Sequence, residues 1–301
     1  MRRKDNLAQL ITEQRNPASH ELDLLPAFEI ARLINAEDAK VATAVQTALP
    51  QVARGIEAIG HALASGGRLI YVGTGTSGRL GALEAAECPP TFNTDAKMIQ
   101  FIIGGGVKAL AAAVEASEDA RRTGQKDMAK RRPSKRDVVV GVAASGRTPY
   151  TVAALQYARQ QGAVTIAVTC NQGSPLGKVA HIAIVAEVGP EILTGSTRMK
   201  AATAQKMILN MLTTGAMARL GYVYGNLMVN VPLKNSKLRE RGIGIVQEVS
   251  GLDRDAAQKA LKQAAGSVPL AIVMTVTGCT RPQAEKRLKA AKGNLRQALA
   301  P

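Results

Sequence analysis

Two loops concentrate the side chains able to do chemistry. Gly73-Thr74-Gly75-Thr76-Ser77-Gly78 follows the apolar run Leu69-Ile70-Tyr71-Val72 and leads into a helical stretch ending near Glu87. Ala143-Ala144-Ser145-Gly146-Arg147-Thr148 stands in the same position, between an apolar run and a helical stretch opening on Pro149. The first amides of a helix lack backbone partners and lie at its positive end, so such a start favours an anion. Glycine lets the backbone close around it, and the hydroxyls add donors. Thr76, Ser77, Gly78, Ser145, Gly146, Arg147 and Thr148 therefore read as the binding set for one phosphate, that of a sugar. A third segment, Thr194-Gly195-Ser196-Thr197-Arg198-Met199-Lys200, offers Ser196 and Lys200 either to the substrate or to the cap of a following helix.

The elements that must hold these loops alternate. Apolar runs at 69–72, 98–103, 137–142, 164–169 and 182–185 read as strands, and the intervening segments as helices. Expected among the latter are a helix that follows Gly104-Gly105-Gly106 and runs through Val114, a helix stopped at Pro89-Pro90, and one long helix from Thr197 to Leu220. This alternation predicts an α/β fold, a doubly wound parallel sheet of five strands with helices on both faces. Two loops at the carboxyl ends of neighbouring strands would then share one crevice. Ahead of the sheet, a polar arm precedes two helices, 25–39 and 41–63, broken near Asn35-Ala36-Glu37-Asp38.

Behind the sheet the strands stop, and an internal repeat appears at an offset of about 27 residues. Ser250-Gly251-Leu252-Asp253-Arg254 matches Thr277-Gly278-Cys279-Thr280-Arg281, and each copy reads as a polar turn, an N-cap and an amphipathic helix closed by glycine. The expected division is 1–58 for the arm and first helices, 59–222 for the phosphosugar-binding domain, 223–242 for a linker and 243–301 for a helical, UBA-like module.

Composition narrows the function. Of 301 residues, 46% are hydrophobic, enough for a core, whereas aromatics are 3% and Trp is absent, against base-stacking platforms. The formal charge of +16 favours anionic ligands, but the basic runs 130–136 and 234–241 form no continuous nucleic-acid footprint. Cys88, Cys170 and Cys279 have neither metal spacing nor an even count, which suits a reduced, cytoplasmic protein. No apolar core follows the basic residues 1–6, and no run reaches membrane-span length, so no membrane is expected. The first loop also fits G-x-G-x-x-G, but a dinucleotide site needs an acidic residue ending the next strand, and three glycines stand there.

The segments Thr74–Gly81, Glu87-Cys88-Pro89-Pro90-Thr91, Ala144–Tyr150 and Thr194–Ala201, with Thr12-Glu13-Gln14-Arg15-Asn16, resemble the sugar isomerase (SIS) family of phosphosugar-binding domains and, within it, the N-acetylmuramic acid 6-phosphate etherases. Ala143 stands where the common SIS pattern has a further serine. The resemblance implies a cytoplasmic homodimer without metal or redox cofactor, which removes D-lactate from a phosphorylated amino sugar of cell-wall recycling. It also implies two catalytic carboxylates, Glu87 and Glu118. Such an elimination needs a base for the C2 proton and an acid for the leaving oxygen, and no histidine. The negative end of a helix suits Glu87 to the acid role and leaves Glu118 as base, though the two could exchange. Glu87 lies about 15 Å along a regular helix from Ser77, so one carboxylate is expected to reach the site across a dimer, or the helix to bend. A non-catalytic phosphosugar sensor and a sugar-phosphate isomerase are the rival readings, although residues 1–66 offer an arm and long helices in place of a DNA-binding motif.

Overall fold

The computed structural model describes residues 10–300, so the basic stretch 1–6 lies outside the described residues. The chain divides into two compact units. The first takes the chain through Ala85 and again over Lys97–Thr213; the second takes Ala86–Ala96 and the chain from Thr214 onward.

In the first unit, helices α1 (Ala27–Gln46) and α2 (Leu49–Ala64) lead to strand β1 (Leu69–Gly73). Helix α3 (Gly75–Phe92), β2 (Ile99–Ile103), α4 (Arg121–Lys130), β3 (Val138–Val142), α5 (Pro149–Gln160), β4 (Val164–Thr169), α6 (Pro175–Val179), β5 (Ile182–Val185) and α7 (Lys200–Arg219) follow. The five strands form one parallel sheet in the order β2-β1-β3-β4-β5. β1 and β3 are buried throughout, which is why they read as unbroken apolar runs rather than alternating ones. Tyr71, Val139, Leu155 and Ile166 are among the side chains fully enclosed in this core.

Strand order reverses between β1 and β3, the position at which an open parallel sheet forms its ligand crevice. Gly73 pairs with Val142 at the carboxyl ends of the two strands. A β-carbon on Gly73 would lie 2.9 Å from the Gly78 nitrogen and 3.0 Å from the Val142 oxygen, so only glycine lets the first loop turn there. Gly146, in the second loop, has φ +65° and would bring a β-carbon within 2.5 Å of the Ser174 side chain.

Three expected boundaries are corrected. The break between the first two helices falls at Thr47 and Ala48, because Asn35 to Asp38 continue the turn pattern of α1. Pro89 and Pro90 lie inside α3, which runs on to Phe92. Between β2 and α4 there is no helix through Val114. Two short 3₁₀ turns, Val107–Leu110 and Glu115–Ser117, make an irregular strap, entered through Gly105 and Gly106 at φ +87° and +69°.

Beneath α7 lies a buried polar cluster. The Lys200 ammonium is 2.6 Å from Glu37 Oε2, and Asn16 Nδ2 donates to the same carboxylate at 2.9 Å and to the Pro190 carbonyl at 3.1 Å. Glu191, fully buried, accepts the Lys200 and Ala201 amides at 3.0 Å each and so caps the start of α7. Burial works against the Glu37 charge, but hydrogen bonds from Lys200, Lys40 and Asn16 outweigh it and bring the carboxyl down to about 2.

The second unit contains α8 (Ser236–Ser250), α9 (Arg254–Gln263), α10 (Val268–Thr277), α11 (Arg281–Ala290) and α12 (Leu295–Leu299). The repeat seen in the sequence is a repeat of structure. Asp253 and Thr280 are N-caps, and so are Ser267 and Asn294 at the same offset. The glycine closures match as well: Gly266 donates to Leu261 at 2.9 Å and Gly293 to Leu288 at 2.8 Å. Leu261, Ala271, Ile272, Ala284 and Leu295 lie in one apolar core.

Lys200→Met leaves the Glu37 carboxylate buried without its cation and should cost about 3–5 kcal/mol in urea unfolding. Because the folded value of Glu37 is depressed, its contribution is complete above about pH 4.5 and is lost as pH falls toward 2, and Glu37→Gln should flatten that part of the stability profile. Gly146→Ala should lower the melting temperature more than Gly173→Ala. Both have φ near +65°, but nothing lies within 4 Å of a β-carbon at Gly173.

Candidate active site

The carboxyl ends of β1 and β3 open onto a cleft of about 340 Å³. Of the residues singled out in the sequence, Thr76, Ser77, Ser145, Thr148 and Glu118 line it together. Gly78, Gly146, Arg147 and Ser196 stand beside lining residues without forming its wall.

Each hydroxyl has a definable state. Helix α3 begins at Gly75, so Thr76 and Ser77 lie in its first turn. The first helical bond runs from the Gly78 amide to the Thr74 carbonyl at 2.9 Å, which leaves the amides before it at the positive end of the helix. Ser77 Oγ is 2.9 Å from Oε1 of the buried Gln205, which fixes its rotamer from α7. Ser145 Oγ accepts the Arg147 amide at 3.2 Å and keeps its own proton to donate. Thr148 is the N-cap residue of α5, but its hydroxyl makes no capping bond. The start of α3 and the hydroxyls of Thr76, Ser145 and Thr148 thus converge on one crevice, an arrangement suited to a phosphate.

Glu118 follows directly on the strap. Its carbonyl accepts the Tyr150 amide at 3.0 Å, which ties the strap to the first turn of α5. Its Oε1 receives the Thr74 hydroxyl at 3.4 Å. A carboxylate held at its backbone and at one oxygen keeps its other oxygen for substrate, a geometry fit for proton transfer.

Lys200, offered by the sequence either to the substrate or to the cap of a helix, is 1% exposed and committed to Glu37, so the third segment serves the start of α7 through Lys200 while Gly195 and Thr197 reach the cleft. Glu87 belongs to the stretch 86–96 of the second unit, and its side chain is exposed.

Sequence reasoning also missed lining residues. Glu13, within a motif read as a polar arm, lines the cleft beside Gly195, whose added β-carbon would lie 3.4 Å from its Oε2. Glu115 and Arg79 line it as well. Arg79 Nε donates to the carbonyls of Ala109 and Leu110 at 2.9 and 3.2 Å, and Nη2 to that of Ala112 at 2.8 Å. Among the described residues no histidine or cysteine lines the cleft, and burial, followed by the Glu191 and Glu187 charges, pushes the Cys170 thiol up to about 12.

Comparison with known proteins agrees with this architecture. A family model described as the glucokinase regulatory protein N-terminal SIS domain matches residues 51–159. The N-acetylmuramic acid 6-phosphate etherase of Aeromonas hydrophila is 52% identical over 267 residues, covering 89% of this chain and 90% of that protein. The protein of the same name from Vibrio vulnificus is 53% identical over 259 residues, 86% of either chain, and that of Symbiobacterium thermophilum 53% over 267 residues, 88% of either chain. At that identity and coverage, with both loops framing one crevice at the β1–β3 reversal, the chain belongs to the N-acetylmuramic acid 6-phosphate etherase family.

Proposed function

We propose that this protein cleaves the D-lactyl ether of N-acetylmuramic acid 6-phosphate by elimination and rehydration, giving N-acetylglucosamine 6-phosphate and D-lactate. The observation that carries the reading is the placement of Glu118 in the same cleft as the hydroxyls of both anion-binding loops. A sensor would need the loops alone.

The chemistry is that of a lyase. The first amides of α3, with Thr76, Ser77, Ser145 and Thr148, hold the 6-phosphate and so fix the sugar chain. In the ring-opened sugar, the C1 aldehyde acidifies the C2 proton. Glu118 takes that proton, the C3–oxygen bond breaks, and a second carboxylic acid protonates the departing lactate oxygen. Water then adds at C3 with the proton transfers reversed. The balance requires no electron acceptor, so no redox cofactor enters.

We assign the second carboxyl group to Glu87, supplied by the other copy of the chain in a homodimer. The assignment rests on the family resemblance. Glu13 and Glu115, which do line that cleft, are the competing donors. Soluble, cytoplasmic operation is part of the same proposal; among the described residues no single helix is long and apolar enough to cross a membrane.

Incubation with N-acetylmuramic acid 6-phosphate should release D-lactate. Glu118→Gln should reduce kcat by about 10²–10⁴-fold, the usual worth of a positioned base, with the protein still folded. Glu87→Gln should do the same, whereas Glu13→Gln and Glu115→Gln should keep most of the turnover. Mixing inactive Glu87→Gln and Glu118→Gln subunits should restore part of the activity, because a mixed dimer rebuilds one intact site. Normal turnover by Glu118→Gln would overturn the base assignment, and a mixture without recovery would overturn the shared site.

A further inference from the structure

The proposed reaction leaves one end of its substrate without a partner. N-acetylmuramic acid 6-phosphate carries two anions, the phosphate and the lactyl carboxylate, and the second lies only a few bonds from the ether oxygen that departs. Among the described residues, the cleft wall contains three carboxylates, Glu13, Glu115 and Glu118, and one cation, Arg79. A carboxylate brought among those three needs a counter-charge.

The geometry of Arg79 suits that task. Its bonds to the carbonyls of Ala109, Leu110 and Ala112 use Nε and Nη2, which fixes the guanidinium plane along one edge. Five N–H donors make up the group, and the Nη1 pair has no acceptor among the described residues. The residues that follow those carbonyls in the chain, Ala113, Val114 and Glu115, line the cleft and lead to Glu118. Arg79 thus stands on the wall that carries the base, and the C3 substituent is attached one carbon from the C2 proton that Glu118 takes. Its rotamer is held before any ligand arrives, so little ordering cost remains on binding.

We propose that Arg79 binds the lactyl carboxylate and thereby distinguishes the etherase substrate from its own product, which lacks that group. The inference rests on the activity proposed above. It gives one side chain two jobs, pinning the strap and reading the substrate.

The test compares N-acetylmuramic acid 6-phosphate with its lactyl carboxamide, which keeps the ether and removes the charge. Wild-type enzyme should prefer the acid in kcat/KM by about 10–100-fold, the usual worth of a hydrogen bond to a charged group. In Arg79→Gln the ratio should collapse toward one. Arg79→Lys, which keeps the charge without the fork, should lower it severalfold, and it carries the comparison alone if the glutamine variant is insoluble. An undiminished ratio in the variants, with both substrates slowed alike, would reduce Arg79 to a strap clip and overturn the inference, as would a wild-type ratio near one. Absence of lactate release from either substrate by wild-type enzyme would instead overturn the activity itself.

Discussion

Parallel pairing of β1 with β3 sets the site. These strands are neighbours in the sheet but not in sequence, and β2 turns outward on the far side of β1. The loops leaving β1 and β3 therefore diverge to opposite faces and leave a crevice between their starts. Because Gly73 is level with Val142, both loops begin at the same height, and a single ligand can touch both. A register shift of one residue would turn every buried side chain of the strand to the other face, so the core that stabilises the sheet also fixes the crevice.

Two kinds of backbone share the work around that crevice. The helix starts of α3 and α5 are regular, and that of α3 suits an anion because its first amides are unpaired and aligned, whereas at α5 Pro149 has no amide hydrogen and Tyr150 donates to Glu118. The strap after β2 is irregular, and it presents Glu115 and Glu118 because it does not coil into a helix. Its carbonyls, which a helix would satisfy internally, are taken up instead by the Arg79 guanidinium and by an amide of α5. Loss of regularity is thus offset by side-chain and cross-element hydrogen bonds, and the Glu118 carboxylate gains a fixed position.

The cluster of Asn16, Glu37, Glu191 and Lys200 shows a division of labour within a short motif. Thr12-Glu13-Gln14-Arg15-Asn16 sends Glu13 to the cleft while Asn16 holds Glu37. The segment before α7 sends Gly195 and Thr197 to the cleft while Lys200 closes the ion pair beneath. Charges so deeply buried contribute little net stability compared with an apolar core, but each becomes costly once its partner is gone. They hold the arm and the start of α7 in one arrangement, and with them two walls of the site.

What the sequence determined by itself was everything governed by local pattern. The five strands, the glycine turns, the paired hydroxyl loops and the repeat of the helical module follow from periodicity, caps and backbone permissiveness, which act within a few residues of the chain. Even the crevice was legible, since alternating strands and helices leave few topologies open. Long-range partners decided the rest. The strap reads as a helix until Arg79 and Tyr150 claim its backbone; Lys200 reads as either a substrate cation or part of a helix cap until Glu37, far back in α1, takes its charge; Glu13 reads as part of a polar arm until folding brings it beside Gly195. In each case the deciding group lies remote in sequence, and an electrostatic or hydrogen-bonding preference becomes a position only when the tertiary structure supplies the partner.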